Sequence, residues 1–325
     1  MWKVLSFFQK NLTLSIPIFM VLGLAFGGFS DVSFLKSWII PLTFLMVYPM
    51  MVTLNVKELF TKGNTKLQLT AQIMNFAIIP FLGFGIGLIF FPNNNLAVLG
   101  LLLTSLLPTS GMTISWTGFA KGNVPAAVKM TVVGLIIGSL LTPIYLKILM
   151  GTTVDISLLQ VFKQIILIVF IPLVAGYLTQ LLLIKRAGKK KFQEILKPKF
   201  PMFSTLGVLG IVFVSIALKS KTILSNPFVL LYYLLPIGLI YVINFSLSTL
   251  IGKLLFKDKD AIAMVYGTVM RNLSIALAIA MSVFGEKGSE IALIISMSYI
   301  IQVQAAAWYV KLNSKIFKTQ EATLK

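Results

Sequence analysis

At 325 residues, with 58% hydrophobic and 11% charged residues, the chain is too apolar and too sparsely charged for a soluble domain, where about 45–50% and 25% are usual. A net charge of +19 would suit a nucleic-acid binder, but the basic residues fall in short gaps between apolar runs rather than on one polar face, so no nucleic-acid partner is expected. The absence of cysteine and histidine excludes thiolate nucleophiles, disulfides, Cys/His metal sites and imidazole relays. A polytopic membrane protein with no metal and no cofactor is expected.

About 20 apolar residues cross a bilayer, and ten stretches meet that length. They run over 12–29, 37–55, 67–91, 96–120, 124–150, 157–184, 202–218, 227–255, 261–284 and 290–316. Short loops leave one domain, residues 1–325, with no soluble module. The first run carries Pro17 and is followed by many more, so it reads as helix 1 and not as a cleaved leader. With both termini cytoplasmic, 21 basic residues fall on inner segments and 6 on outer ones. That bias is the positive-inside signature of ten spans.

The halves echo each other. Pro17 and Pro172 are 155 apart, Pro80 and Pro236 are 156 apart, and Met112 and Met270 are 158 apart. These offsets predict two inverted five-helix repeats, about 12–150 and 157–317. In carriers built this way, interrupted helices from each half form the site near the midplane.

Helix 4 is interrupted at Pro108, Thr109, Ser110 and Gly111. Proline removes an amide donor and clashes with the preceding turn, and the hydroxyls of Thr109, Ser110 and Thr113 can serve freed backbone groups. Helix 9 has the matching place at Gly267, Thr268, Met270, Arg271, Asn272 and Ser274. An arginine near the bilayer centre costs about 2.5–3.5 kcal/mol, so Arg271 is expected to face a cavity or a partner. Ser274 and Thr117 suit simple interhelical hydrogen bonding. The glycines of "GFGIG" at Gly83–Gly87 suit close helix packing.

The motifs "PTSGMTISWTGFAKGN" from Pro108, "NFAIIP" from Asn75, "MVYPMM" from Met46 and "MRNLSIALAIAMSVFG" from Met270 resemble the bile acid:sodium symporter superfamily, most of all its arsenite-efflux branch. The resemblance covers essentially the whole chain and implies an all-α integral membrane fold, in which broken helices 4 and 9 cross in a core domain beside a panel domain. It also marks departures. Thr109 stands where the arsenite branch has a cysteine, and Gly267 where the sodium-coupled branch has an acidic residue. Arg271 and Asn75 stand at glutamine positions, Thr113 and Ile114 at a serine and an asparagine, and Thr131 at a retained threonine.

The resemblance therefore implies a substrate site of Asn75, Thr109, Ser110, Thr113, Arg271 and Asn272. It also implies a former cation site of Thr131, Gly267, Thr268 and Met270; Lys129, close to Thr131 in helix 5, either adds a second positive charge there or snorkels to the cytoplasmic face. A hard cation prefers oxygen ligands with a carboxylate among them, yet all nine acidic residues lie in loops or at helix ends. The expected function is a secondary transporter for a small anion or metalloid, without sodium because Arg271 holds the cation's place. Arsenite efflux and sodium:organic-acid symport stand as alternatives. An intramembrane enzyme lacks paired carboxylates, a serine with a base or metal ligands at depth; a channel is a third class. Seven basic residues from Lys185 to Lys199 set topology, with anionic lipid as a further partner.

Overall fold

The computed structural model describes residues 2–55, 63–154, 157–225 and 228–317. An amphipathic helix, α1 (Trp2–Lys10), precedes α2 (Leu12–Phe29), which coincides with the first apolar run. A 3-10 turn at Ser33–Trp38 leads into α3 (Ile39–Val52). The third run comprises α4 (Thr65–Ile73) and α5 (Ile79–Phe90), joined by a π-helical turn at Met74–Ile78. The fourth is two half-helices, α6 (Asn95–Leu106) and α7 (Gly111–Phe119), and α8 (Val124–Met150) follows unbroken.

In the second half, α9 (Leu158–Ile165) and α10 (Ile171–Ala187) flank another π turn at Ile166–Phe170. Gly188, at φ 82°, ends α10 in the left-handed region that glycine adopts without cost. The one-turn α11 (Lys189–Lys191) leads to α12 (Phe200–Ser225) and α13 (Phe228–Leu255). The ninth run is again two half-helices, α14 (Asp258–Val269) and α15 (Leu273–Val283), and α16 (Gly288–Ile316) closes the described chain. Seven helices among the described residues are long and apolar enough to cross a membrane. Acidic Glu58, Asp155 and Glu321 lie outside the described residues; the others are in loops, short turns or first helical turns.

Proline explains the π turns at Met74–Ile78 and Ile166–Phe170. Pro80 has no N–H to offer Phe76 O, so the chain widens, the Ile79 N–H reaches Met74 O, and the Tyr145 hydroxyl donates to Phe76 O instead. Pro172 follows the second π turn in the same position. Side-chain caps settle several starts: Asn94 Oδ1 accepts from Ala97 N at 3.0 Å and Asn123 Oδ1 from Ala126 N at 3.1 Å.

The helices pack in two groups. One is α2, α3, α10 and α12, where backbones approach closely: a Cβ on Gly207 would lie 2.4 Å from the Met46 amide nitrogen. The other is built on α5, α6, α13, α14, α15 and α16, with α8 alongside α6, α7 and α14. At one end a cleft of about 800 Å³ opens between the groups, bordered by Asp31, Lys36, Lys221, Met281 and Glu286.

Among the described residues, two ion pairs span the groups there. Lys36 Nζ meets Glu286 Oε1 at 2.6 Å, and Lys219 Nζ on α12 meets Glu290 Oε2 on α16 at 3.3 Å. The exposed Lys36–Glu286 pair contributes only about 0–1 kcal/mol, so it reports the groups' relative placement more than it stabilises it, whereas Lys219–Glu290 is half-buried. The hydrogen bond from Lys36 and its charge hold the Glu286 carboxyl below its usual value. The pair is therefore present at neutral pH and is lost as pH falls through that depressed pKa. Because the chain has no cysteine, Lys36→Cys with Glu286→Cys should give a single intramolecular cross-link with a short bifunctional thiol reagent, which replaces the reach of the lost Lys and Glu side chains, read by mass spectrometry of the digest. Failure of the pair to cross-link in the purified protein would contradict this arrangement of the groups.

Candidate functional site

The two interruptions meet. Between α6 and α7 the chain is unwound over Leu107–Ser110, and between α14 and α15 over Met270–Asn272. The Thr109 N–H donates to Met270 O at 2.7 Å and the Asn272 N–H donates to Leu107 O at 2.8 Å. Pro108 and Arg271 thus pair as an antiparallel bridge, and each break supplies backbone partners that the other lacks. A Cβ on Gly138 of α8 would lie 2.9 Å from Pro108 Cδ, so the crossing rests directly on α8.

Several expected substrate contacts are used locally. Ser110 Oγ accepts from Met112 N at 3.2 Å while the Ser110 N–H donates to Thr113 Oγ1 at 3.1 Å, a reciprocal cap on α7. Asn272 Oδ1 accepts from Ile275 N at 3.2 Å and caps α15. Thr109 sits at φ 60°, an uncommon and strained conformation for a β-branched residue. Its hydroxyl donates to Pro108 O at 2.7 Å and lies 3.3 Å from Thr131 O on α8. The Thr131 hydroxyl donates to Ala127 O at 2.8 Å. Gly111, read from the sequence as part of the helix break, is instead the exposed first residue of α7; the Ser110 cap restarts the helix before it.

Arg271 lies at the centre of the crossing and is buried. Its Nη1 donates to Asn75 Oδ1 at 2.7 Å and to Thr268 O at 3.0 Å, and its Nη2 donates to Ser105 O. Thr268 and Ser105 belong to the last turns of α14 and α6, whose carbonyls have no intrahelical donor and carry the negative end of the helix dipole. Hydrogen bonds to a charged group contribute about 1.5–3 kcal/mol each, which offsets part of the burial cost of one guanidinium. Asn75 Nδ2 also donates to Gly267 O at 3.0 Å, so one amide joins the π turn, α14 and the arginine.

Of the residues that the resemblance assigns to a cation site, Gly267 and Thr268 offer their carbonyls to Asn75 and Arg271. A Cβ on Gly267 would come within 2.3 Å of Met130 Sδ, so the thioether fills the space an acidic side chain would need. The Thr268 hydroxyl donates to Met264 O at 3.0 Å and lies 2.6 Å from Ser248 Oγ. Met270 is buried in the crossing, and Lys129 is half-buried in the second turn of α8.

Arg271 Nε has no partner. Beside the guanidinium is a cavity of about 10 Å³, bordered by Thr104, Ser105, Tyr241, Asn244 and Ser298. That is room for a single water with polar neighbours. Sequence reasoning missed Tyr241, Asn244 and Gln302. For Asn244 and Gln302 the signal was available, since an amide inside an apolar helix commonly bonds across helices. The Ser105 contact had none, because a carbonyl is offered by every residue.

Asn75→Ala should destabilise the protein by about 2–3 kcal/mol, because it removes an acceptor from a buried charge. Ser274→Ala, which loses only a hydroxyl contact to Tyr299, should cost about 1 kcal/mol or less. Detergent-solubilised melting curves compare the two; equal losses would mean that Asn75 does not hold Arg271.

A family model described as the sodium bile acid symporter family matches residues 40–226. The arsenical-resistance protein Acr3 of Alkaliphilus metalliredigens is 25% identical over 342 aligned positions, covering 96% of this chain and 94% of its own. An uncharacterised sodium-dependent transporter, YocS of Bacillus subtilis, is 23% identical over 282 positions, 86% of this chain and 84% of its own. Sodium/bile acid cotransporter 7 of Rattus norvegicus is 23% identical over 203 positions, 60% and 56% of the two chains. With more than half its length matched by the family model and an all-helical, apolar fold, the chain is a multi-pass membrane transporter and belongs to the sodium bile acid symporter family.

Proposed function

We propose that the protein is a secondary transporter that moves a small anionic or metalloid solute across the cell membrane by alternating access, without sodium. In this reading the ten apolar runs are ten membrane crossings with both termini cytoplasmic, and helices 1–5 recur inverted as 6–10. The group of α2, α3, α10 and α12 is the panel, and the crossing half-helices lie in the core. The recurrence of a break in the fourth and ninth runs supports it.

The observation that carries the sodium-independent reading is the guanidinium of Arg271 on the carbonyl ends of both α6 and α14. Carbonyl ends of half-helices are where transporters of this architecture coordinate a coupling cation. A permanent charge there repels a second cation by several kcal/mol at low effective dielectric. The carboxylate that would draw a cation is replaced by Gly267, with Met130 against it. Arsenite efflux is supported by the similarity to an arsenical-resistance protein along nearly the whole chain. At neutral pH arsenous acid is uncharged, and it suits hydroxyl partners in place of a thiolate.

Reconstituted into proteoliposomes, the protein should show saturable arsenite counterflow that is the same with and without a sodium gradient. Arg271→Gln should lower the rate at least tenfold. An obligatory sodium gradient, or full sodium-free activity in Arg271→Gln, would sink the built-in-cation reading. Ohmic single-channel currents would replace the carrier with a channel.

A further inference from the structure

Gln302, on α16, is fully buried and spends both ends of its side-chain amide on one residue of the unwound segment between α14 and α15. Its Oε1 accepts from the Arg271 N–H at 2.7 Å, and its Nε2 donates to the Arg271 carbonyl at 3.3 Å. This two-point pairing is what a neighbouring strand would offer. The backbone of Met270–Asn272 alternates as a strand does: Met270 O and the Asn272 N–H face the break in the fourth run, and the N–H and carbonyl of Arg271 face Gln302. The Tyr241 hydroxyl on α13 donates to the same Oε1 at 2.9 Å, which fixes the end of the amide turned toward the Arg271 N–H.

We propose that Gln302 is the positioning residue of the Arg271 site, oriented by Tyr241, and that it sets solute affinity by clamping the backbone from which the guanidinium projects. The Arg271 N–H and carbonyl have no helical hydrogen bond of their own, and a backbone N–H or carbonyl left unpaired in the membrane interior is costly. An apolar residue at 302 would orphan both groups of Arg271. A side chain that merely joined α16 to its neighbours would need one hydrogen bond to any acceptor, whereas Gln302 makes a matched donor and acceptor pair with the residue carrying the buried charge. This inference rests on Arg271 being the charge of the transport site.

Gln302→Glu separates the roles. A protonated carboxyl reproduces the amide, accepting with C=O and donating with O–H; an ionised one has no donor for the Arg271 carbonyl. The titratable groups with hydrogen bonds to or alongside this position are Arg271 itself and Tyr241, and Tyr299 lies on α16 bonded to Ser274. In arsenite counterflow the wild-type KM should be flat from pH 5.5 to 8. In Gln302→Glu it should match wild type at the acid end and rise at least tenfold at the alkaline end, with maximal rate nearly unchanged. Tyr241→Phe should raise KM about threefold at every pH, and Gln302→Leu should raise it throughout if that variant folds. A Gln302→Glu profile that tracks wild type, or a loss confined to maximal rate, overturns the proposal.

Hydrogen exchange at the Arg271 amide, followed by mass spectrometry on purified protein, tests the clamp without any solute. It should be slow in wild type and at least tenfold faster in Tyr241→Phe and in alkaline Gln302→Glu; unchanged exchange overturns the clamp. If wild type moves no arsenite while the exchange results hold, it is the transport reading that has failed.

Discussion

Everything around the site depends on two interrupted helices completing each other's backbone. An unwound segment at membrane depth leaves N–H and C=O groups that neither lipid nor its own helix can satisfy. Here Leu107 and Thr109 serve Asn272 and Met270, and the Arg271 side chain takes up carbonyls from the helix ends on both sides. The arginine is therefore part of the solution to a backbone problem as well as a charge. Removing it would orphan the Ser105 carbonyl and one bond at Thr268, which also accepts from Asn244 Nδ2 at 3.1 Å.

Small residues make this geometry possible. Gly138 lets Pro108 sit against α8, and Gly134 leaves room for Thr109 Oγ1, which a Cβ would approach to 2.7 Å. Since the crossing presses on α8, the left-handed φ of Thr109 is over-determined by its neighbours, as strained residues need to be. Pro80 acts at a distance through the same logic. Its missing N–H widens the turn that carries Asn75, the residue that reaches both Gly267 O and Arg271.

Much of this was legible in the sequence, for a physical reason. Membrane helices announce themselves by length and apolarity, so the runs at 12–29 and 124–150 agree with α2 and α8 to the residue. The run at 202–218 falls short of α12, which continues to Ser225, because Lys219 and Lys221 end the apolar stretch without ending the helix. The breaks at Pro108 and around Arg271 were legible because proline and charge are expensive at depth. What the sequence does not encode locally is partnership. That Met130 fills the space beside Gly267, that Ser110, Thr113 and Asn272 are occupied as caps, and that Gln302 grips Arg271 all follow from three-dimensional packing among distant segments.

A tethered charge differs from a bound ion in one thermodynamic respect. The binding free energy of an exchangeable cation changes by about 1.4 kcal/mol for every tenfold change in its concentration, and a carrier can harvest that difference. A guanidinium on the chain has no concentration, so it contributes equally on both sides of the membrane and in every step of a cycle. Its side-chain hydrogen bonds go to the π turn before α5, to α6 and to α14, its backbone is held by α16, and none involves α2, α3, α10 or α12. Sliding one helix group against the other would leave the charge and its partners intact. Under the transport reading, the force that moves solute then resides in the solute's own gradient or in an exchanged partner, and Arg271 fixes the shape and potential of the place where the solute binds.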